Sequence, residues 1–342
     1  MSATYAKLAE LPFTVERYEL ERLEAGVTRG LDRVTTVVHL HGAGEEGVGE
    51  DVTWYTEAHD RQQAAGAVLP LAGEWTLDSF STALSIDAPW TRWAYESAAL
   101  DLALRQAGQR LADVLEREPR PVRFVVSPGL GDPSSADPLR HRLELYPWLR
   151  FKLDAANDWT EDLIAELSAT APVDTVDLKA FYRDPEHDPP PDPELYRRVA
   201  EGFPDAWIED PALLPETEPA LAPYRDRITW DAPIHSVENV EALAFPPRTL
   251  NVKPSRFGTL RALFDFYDYA EERGIALYGG GMFELGPGRG QIQYLASLFN
   301  PDGPNDVAPG GFNKRDPEPG LPKSPLAPQP ALTGFRWSEH AS

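Results

Sequence analysis

In the middle of this sequence, five successive apolar stretches each run into an ionisable residue: Lys152 and Asp154 in RFKLD, then Lys179, Glu209, Asp231 and Lys253. If those stretches are parallel strands, their carboxyl ends share one mouth and the charged groups converge there. Carboxylates such as Glu209 and Asp231 offer hard anionic oxygens suited to Mg²⁺, which neutralises charge developing on a substrate carboxylate as it becomes an enediolate. A lysine buried beside a cation has its pKa lowered and can take up a proton, and Lys253 is the leading candidate for that base. The combination is what metal-assisted carbanion chemistry needs.

The elements that must position these residues follow from the hydrophobic pattern. From Pro121 onward, short apolar runs at Val122–Val126, Leu149–Leu153, Thr175–Phe181, Ala206–Ile208, Ile228–Trp230, Thr249–Val252 and Ile275–Tyr278, with Met282–Phe283 next, alternate with helical segments at Glu161–Leu167, Glu194–Ala200 and Leu260–Glu272. Seven or eight such units predict an α/β fold, a modified TIM barrel of the (β/α)7β kind. Ahead of it, Phe13–Leu23 and Arg33–Leu40 alternate apolar and polar residues around Gly26 and Gly30, and helical spacing begins at Trp93 and runs to about Leu115. These predict an N-terminal α+β capping domain. The expected division is a cap over 1–118, a barrel over 119–300 and a proline-rich tail over 301–342 that packs back on the cap or barrel.

Four segments carry a family resemblance. AWIEDP (206–211), TWDAP (229–233), LNVKPSRFG (250–258) and GGGMFELGPGRG (279–290) resemble the metal-binding glutamate, metal-binding aspartate, catalytic lysine and eighth-strand loop of the enolase superfamily. Twenty-two residues separate Glu209 from Asp231, and 22 more separate Asp231 from Lys253. The similarity is to the muconate-lactonizing subgroup, and in the last two motifs to o-succinylbenzoate synthases and N-acylamino acid racemases. WAYESAALDLALRQAGQRL (93–111) is similar to the alanine-rich helix that ends the family's N-terminal domain. The resemblance implies a lyase or isomerase (dehydratase, cycloisomerase, racemase or epimerase) acting on a small-molecule carboxylate with Mg²⁺, cap loops around Gly26–Gly30 that close over the substrate, and a homo-oligomer such as a dimer or octamer.

Two positions depart from the family pattern. Where it has Lys-x-Lys after the second strand, this chain has Lys152-Leu153-Asp154, and where it has Asp-x-Asn after the third, the strand order places Lys179-Ala180-Phe181. An ammonium in place of a ligand worsens the local charge by two units for a divalent ion. Two arrangements answer this. In the first, the residues are exchanged, so that Asp154 joins Glu209 and Asp231 as metal ligand while Lys179 serves as a base opposite Lys253, with Lys152 as the further catalytic lysine. In the second, Lys179 occupies the ion position itself, giving a metal-free, non-catalytic or repurposed barrel. A third register, with LRFKLDAANDW (149–159) as the Asp-x-Asn segment, leaves 55 residues between Asp154 and Glu209, far longer than the 22-residue steps that follow.

Other residues carry weaker signals. Glu284, Gly281 and Arg256 are the substrate-binding candidates, the glycines because they let backbone approach a ligand closely. His235 after the fifth strand has the chemistry of a proton shuttle, whereas His39 and His41 alternate on a cap strand and are expected to face solvent. Among nine tryptophans, Trp148, Trp159, Trp207 and Trp230 flank strands as core residues.

Composition sets the remaining bounds. With 55 acidic against 32 basic residues, the net charge of −23 disfavours nucleic acid and anionic membrane as partners. No cysteine is present, so any metal must be held by oxygen or imidazole. The sequence shows neither a basic leader before an apolar core nor a run of about 18 apolar residues, which points to a cytoplasmic protein.

Overall fold

The computed structural model describes residues 3–27, 31–181, 190–314, 316 and 318–337. The cap holds five strands, β1 (Pro12–Val15), β2 (Arg17–Val27), β3 (Leu31–Gly42), β4 (Glu45–Asp51) and β5 (Gly73–Thr76). β2, β3 and β4 form an antiparallel meander, and β1 pairs separately with β5. The third strand of the meander, EEGVGED, carries too many glycines and acids to announce itself. It forms because Gly47 and Gly49 let it lie directly on the helix Pro89–Gln106, where a Cβ at either position would fall 2.0–2.3 Å from a backbone oxygen of that helix. The helix is correspondingly buried along its length from Trp93 to Leu104. Of the loop expected around Gly26–Gly30, positions 28–30 lie outside the described residues. His39 and His41 are mostly covered rather than solvated, each bonded to glutamates of the neighbouring strands.

The barrel strands are β6 (Phe151–Asp154), β7 (Val173–Asp177), β8 (Trp207–Glu209), β9 (Ile228–Thr229), β10 (Thr249–Val252) and β11 (Ala276–Gly279). β6 to β9 form one parallel sheet and β10 and β11 another, and the Asn251 N–H donates to Trp230 O at 3.0 Å to join them. The ring starts at Val126, which bridges Phe151. It closes through Asn305 and Asp306, which bridge Phe124 on one side and Gly280 on the other. Met282–Phe283 is therefore not the eighth strand. The glycine-rich loop from Gly280 follows the seventh barrel strand, and the pair Asn305–Asp306 fills the eighth position. Asn305 is held there by side-chain bonds to Gly279 N–H and to the carbonyls of Arg123, Asn300 and Gly303.

Beyond position 320 the tail lies against both parts. Leu326 bridges Val122, and Phe335 and Trp337 are buried beside Tyr294. The fully buried Asp101 of the cap helix accepts from Phe335 N–H at 2.7 Å and from Arg336 at 2.8 Å. No helix of the described residues is long and apolar enough to cross a membrane.

Candidate active site

β7 ends at Asp177, two residues before Lys179, and this sets the geometry of the mouth. In parallel register, Asp154 lies beside Asp177, Asp177 beside Glu209, and Glu209 beside Thr229. Carboxylate oxygens of Asp177, Glu209 and Asp231 lie within 4.8 Å of one another, and all three residues are fully buried. The carboxylate that converges with Glu209 and Asp231 is thus Asp177, and Asp154, expected in that place, stands one strand aside. The apolar run suggested a third strand reaching Lys179. The strand in fact stops where Lys179 turns into the left-handed region (φ 56°), its N–H donating back to Asp177 Oδ1 at 2.9 Å. The signal that could have found Asp177 is the alternation in VDTVD, which puts Thr175 and Asp177 on the face opposite Asp174.

Cations are interleaved with these acids. Lys152 Nζ contacts Glu209 Oε1 and lies 3.3 Å from Asp177 Oδ2. Burial alone would lower this ammonium, but Glu209, Asp177 and Asp231 outweigh it and hold the pKa well above the ordinary value. Lys179 Nζ lies 2.9 Å from Asp177 Oδ2 and 3.3 Å from Asp154 Oδ2. Lys179 therefore does not bridge Glu209 and Asp231, as the metal-free arrangement required; Lys152 is the lysine that joins two members of the triad. Burial would raise the Asp177 carboxyl, yet Lys179 and Lys152 bring it below its usual range.

On the other side, Asp231 receives Lys253 Nζ at 2.8 Å and Arg256 Nη1 at 2.6 Å. The desolvation of Asp231 is outweighed by Arg256, Lys253 and Lys152, which keep it well below the carboxylate range. Arg256 reaches it because Lys253 caps a single helical turn, Pro254–Phe257, that folds the guanidinium back over β9 and also onto Asp231 O at 2.5 Å. Burial lowers the pKa of Lys253 from its ordinary value and the charges of Arg256, Lys152 and Lys179 add to the effect, against the pull of Asp231. That is the direction a lysine base requires.

Tyr278, Asn251 and Asp210, which the sequence did not single out, join the site. Tyr278 donates its hydroxyl to Glu209 Oε2, and Asn251 Nδ2 donates to the same oxygen at 3.3 Å. Asp210, also at positive φ, accepts from Asp231 N–H and Ala232 N–H at 2.8 Å each. Burial, with Asp177 and Asp231 nearby, pushes its carboxyl up to about 7. His235 rests on Ala232 O at 3.0 Å, and burial beside Arg256 lowers its pKa.

The loop after β11 closes the mouth. Gly280 has no side chain where a Cβ would fall 2.7 Å from both Asn251 Oδ1 and Lys253 Cε, so the backbone lies along the lysine. Gly281 makes the same allowance for Glu284 and Arg289. Glu284 itself is engaged within the loop, accepting from Met282 N–H at 2.7 Å and pairing with Arg289 at 2.9 Å. The cap grips this loop from above. Fully buried Glu50 of β4 accepts from the N–H groups of Leu285, Gly286 and Gly288 at 2.7–3.1 Å, and Arg33 of β3 donates to Met282 O at 3.2 Å.

Residues 118–314 match the profile of the domain of unknown function DUF8230, C-terminal domain, and residues 6–114 match the corresponding N-terminal domain. The chain belongs to the DUF8230 family. Its fold is that of the enolase superfamily. A probable mandelate racemase from Alicyclobacillus acidocaldarius superposes with a TM-score of 0.69 at 22% identity, covering 96% of this chain and 94% of that one. A dipeptide epimerase from Methylococcus capsulatus, solved in complex with Mg ion, gives 0.68 at 20% identity, covering 94% and 99%. Muconate lactonizing enzyme from Pseudomonas putida gives 0.64 at 20% identity, covering 86% and 88%. A search of curated proteins finds no match.

The residues fit a hard divalent cation. Three fully buried carboxylates present oxygens close enough to share one ion, and the donor set is all oxygen, as Mg²⁺ prefers.

Proposed function

We propose that this protein is an enolase-superfamily lyase or isomerase that abstracts a proton α to the carboxylate of a small-molecule substrate. The observation that carries this reading is the convergence of Asp177, Glu209 and Asp231 from adjacent strand ends, with Lys253 on its edge. Asp177, Glu209 and Asp231 would hold Mg²⁺, which when bound supplies positive charge for the enediolate oxygens. Lys253 takes the α-proton at Nζ, since burial and neighbouring cations lower its pKa from the ordinary value and so ease the loss of its own proton beforehand. Arg256 fixes Asp231 from behind, and Tyr278 and Asn251 orient Glu209 from the opposite side. Lys152, shared between Glu209 and Asp177, supplies a fixed positive charge at the mouth when no metal is bound and a cationic partner for the substrate carboxylate when one is. Racemisation, epimerisation and dehydration begin with this step, and cycloisomerisation passes through the same enediolate.

The Lys152 contacts also favour a second reading, a repurposed barrel whose triad is neutralised by its own lysine. Calorimetric titration with Mg²⁺ separates the two. Binding at a single site, together with solvent-deuterium incorporation into a panel of α-protonated carboxylates, supports the enzyme; no Mg²⁺ binding and no exchange supports the repurposed barrel.

A further inference from the structure

We propose that Trp54 of the cap and Phe283 of the loop after β11 form the wall that receives the substrate's substituent, and that the substrate is a carboxylic acid carrying an aromatic ring or an apolar group of similar size. This rests on the reading above, and deepens it by naming the substrate class. The two rings meet across the seam between cap and barrel, with centroids 6.4 Å apart at an interplanar angle of 53°. Phe283 belongs to the same loop as Gly280, whose backbone lies along the side chain of the proposed base Lys253.

Trp54 is held in place while its ring is left open. Arg33 donates to Val52 O at 2.6 Å and Thr53 O at 2.7 Å, buried His59 contacts Thr53 O at 2.8 Å, and Thr53 N–H donates to Asp51 at 2.9 Å. With its backbone fixed this way Trp54 remains 41% exposed. Phe283 is held at φ 56°, a backbone conformation that costs energy for a bulky residue and persists only where the surroundings impose it. Arg33 and Glu284 impose it by gripping Met282 on both its carbonyl and its N–H.

Large exposed apolar side chains are few among the described residues. Among the seven, Trp54 and Tyr55 lie on this cap loop, while Phe181 and Leu214 lie on loops leaving the carboxyl ends of β7 and β8. Scattered single residues would need no explanation, but a gathering at one mouth marks a surface that a ligand covers. The charges select the occupant. The cations at the barrel mouth are paired with its carboxylates, so it is a divalent ion on Asp177, Glu209 and Asp231 that would favour an anionic end there, and the Arg33 guanidinium, 5.3 Å from the indole centroid, disfavours a cation at the other end.

The test is a set of dissociation constants from ligand-detected NMR titration of the full chain, with and without saturating Mg²⁺. Phenylacetate and 3-phenylpropanoate are the aromatic probes; propanoate, succinate and 6-aminohexanoate are the comparison set. Burying one ring predicts roughly tenfold or more tighter binding of the aromatic acids. Trp54→Ala and Phe283→Ala should each remove most of that ratio while Mg²⁺ affinity is unchanged, and Trp54→Phe should keep the larger part of it. Equal binding of aromatic and aliphatic acids, preference for 6-aminohexanoate, or an undiminished ratio in both alanine variants overturns the proposal. An aromatic preference that survives with no Mg²⁺ binding at all sinks the metal-assisted reading and leaves the wall standing.

Discussion

Lys179 reaches across from the end of β7 to Asp154 at the end of β6, its Nζ 3.3 Å from Asp154 Oδ2, while lying 2.9 Å from Asp177 Oδ2. One ammonium thereby bridges two carboxylates that parallel register places side by side. The enolase-superfamily pattern that the sequence resembles would have a lysine and an asparagine at these two positions, where this chain has Asp154 and Lys179.

That relationship predicts the effect of undoing it. Lys179→Asn restores the family's Asp-x-Asn pattern over positions 177–179 and removes a cation beside a ligand, so Mg²⁺ should bind at least about tenfold more tightly, judged from Coulomb energies at an effective dielectric near 20. Asp154 and Asp177 then repel each other in the metal-free protein, which should melt at lower temperature. The double variant Asp154→Lys with Lys179→Asn should recover that stability. Calorimetry with Mg²⁺ and thermal melts of the three proteins check it; unchanged Mg²⁺ affinity in Lys179→Asn would show that Lys179 exerts no field on the triad.

Lys152 should behave as an internal counter-ion. Replacing it with Met leaves Glu209 and Asp177 buried without that partner, a loss on the order of 3–5 kcal/mol. Mg²⁺ should return much of the loss, since a bound ion stabilises only the folded state. The expected result is a larger Mg²⁺-induced rise in Tm for Lys152→Met than for the parent, and equal rises would contradict it.

Lys253→Ala should reduce α-proton exchange by about 10²–10⁴-fold, the range that positioned general bases contribute, with the fold kept. NMR detection of deuterium uptake on any accepted carboxylate, beside a circular dichroism spectrum, measures both. Full exchange in the variant removes Lys253 from the mechanism.

Glu50 gives a pH signature. Burial, with Glu284 nearby, raises its carboxyl above the ordinary value. Such a group contributes stability that is fully present below its unfolded pKa and is lost as pH rises through the folded value. Glu50→Gln cannot ionise, so its stability relative to the parent should improve as pH climbs above about 4.5, the ordinary value for a glutamate. Glu50→Ala should be worse at every pH, by about 1–3 kcal/mol for each backbone donor left unpaired. Urea denaturation at several pH values decides, and a parent-to-Gln difference that does not vary with pH would show that Glu50 is not perturbed.

Much of this protein was legible in the residues themselves. The strand and helix alternation after Pro121 determined the barrel, because a period-2 apolar run and a 3.6-period helix leave different marks on any sequence. The motifs around Glu209, Asp231 and Lys253 could be recognised for the same local reason: each strand stops close to its charged residue. Tertiary structure decided what depends on register between distant segments. Asp177 rather than Asp154 meets the other two carboxylates because β7 ends earlier than its apolar run suggests, a matter of where pairing with β8 stops. Asn305 and Asp306 close the ring although two residues are too short for any periodicity, and Glu50, Arg33 and Trp54 reach the mouth only because the cap docks there. Local pattern fixes which element a residue joins, whereas the partner across a seam is chosen by packing between parts of the chain more than 200 residues apart.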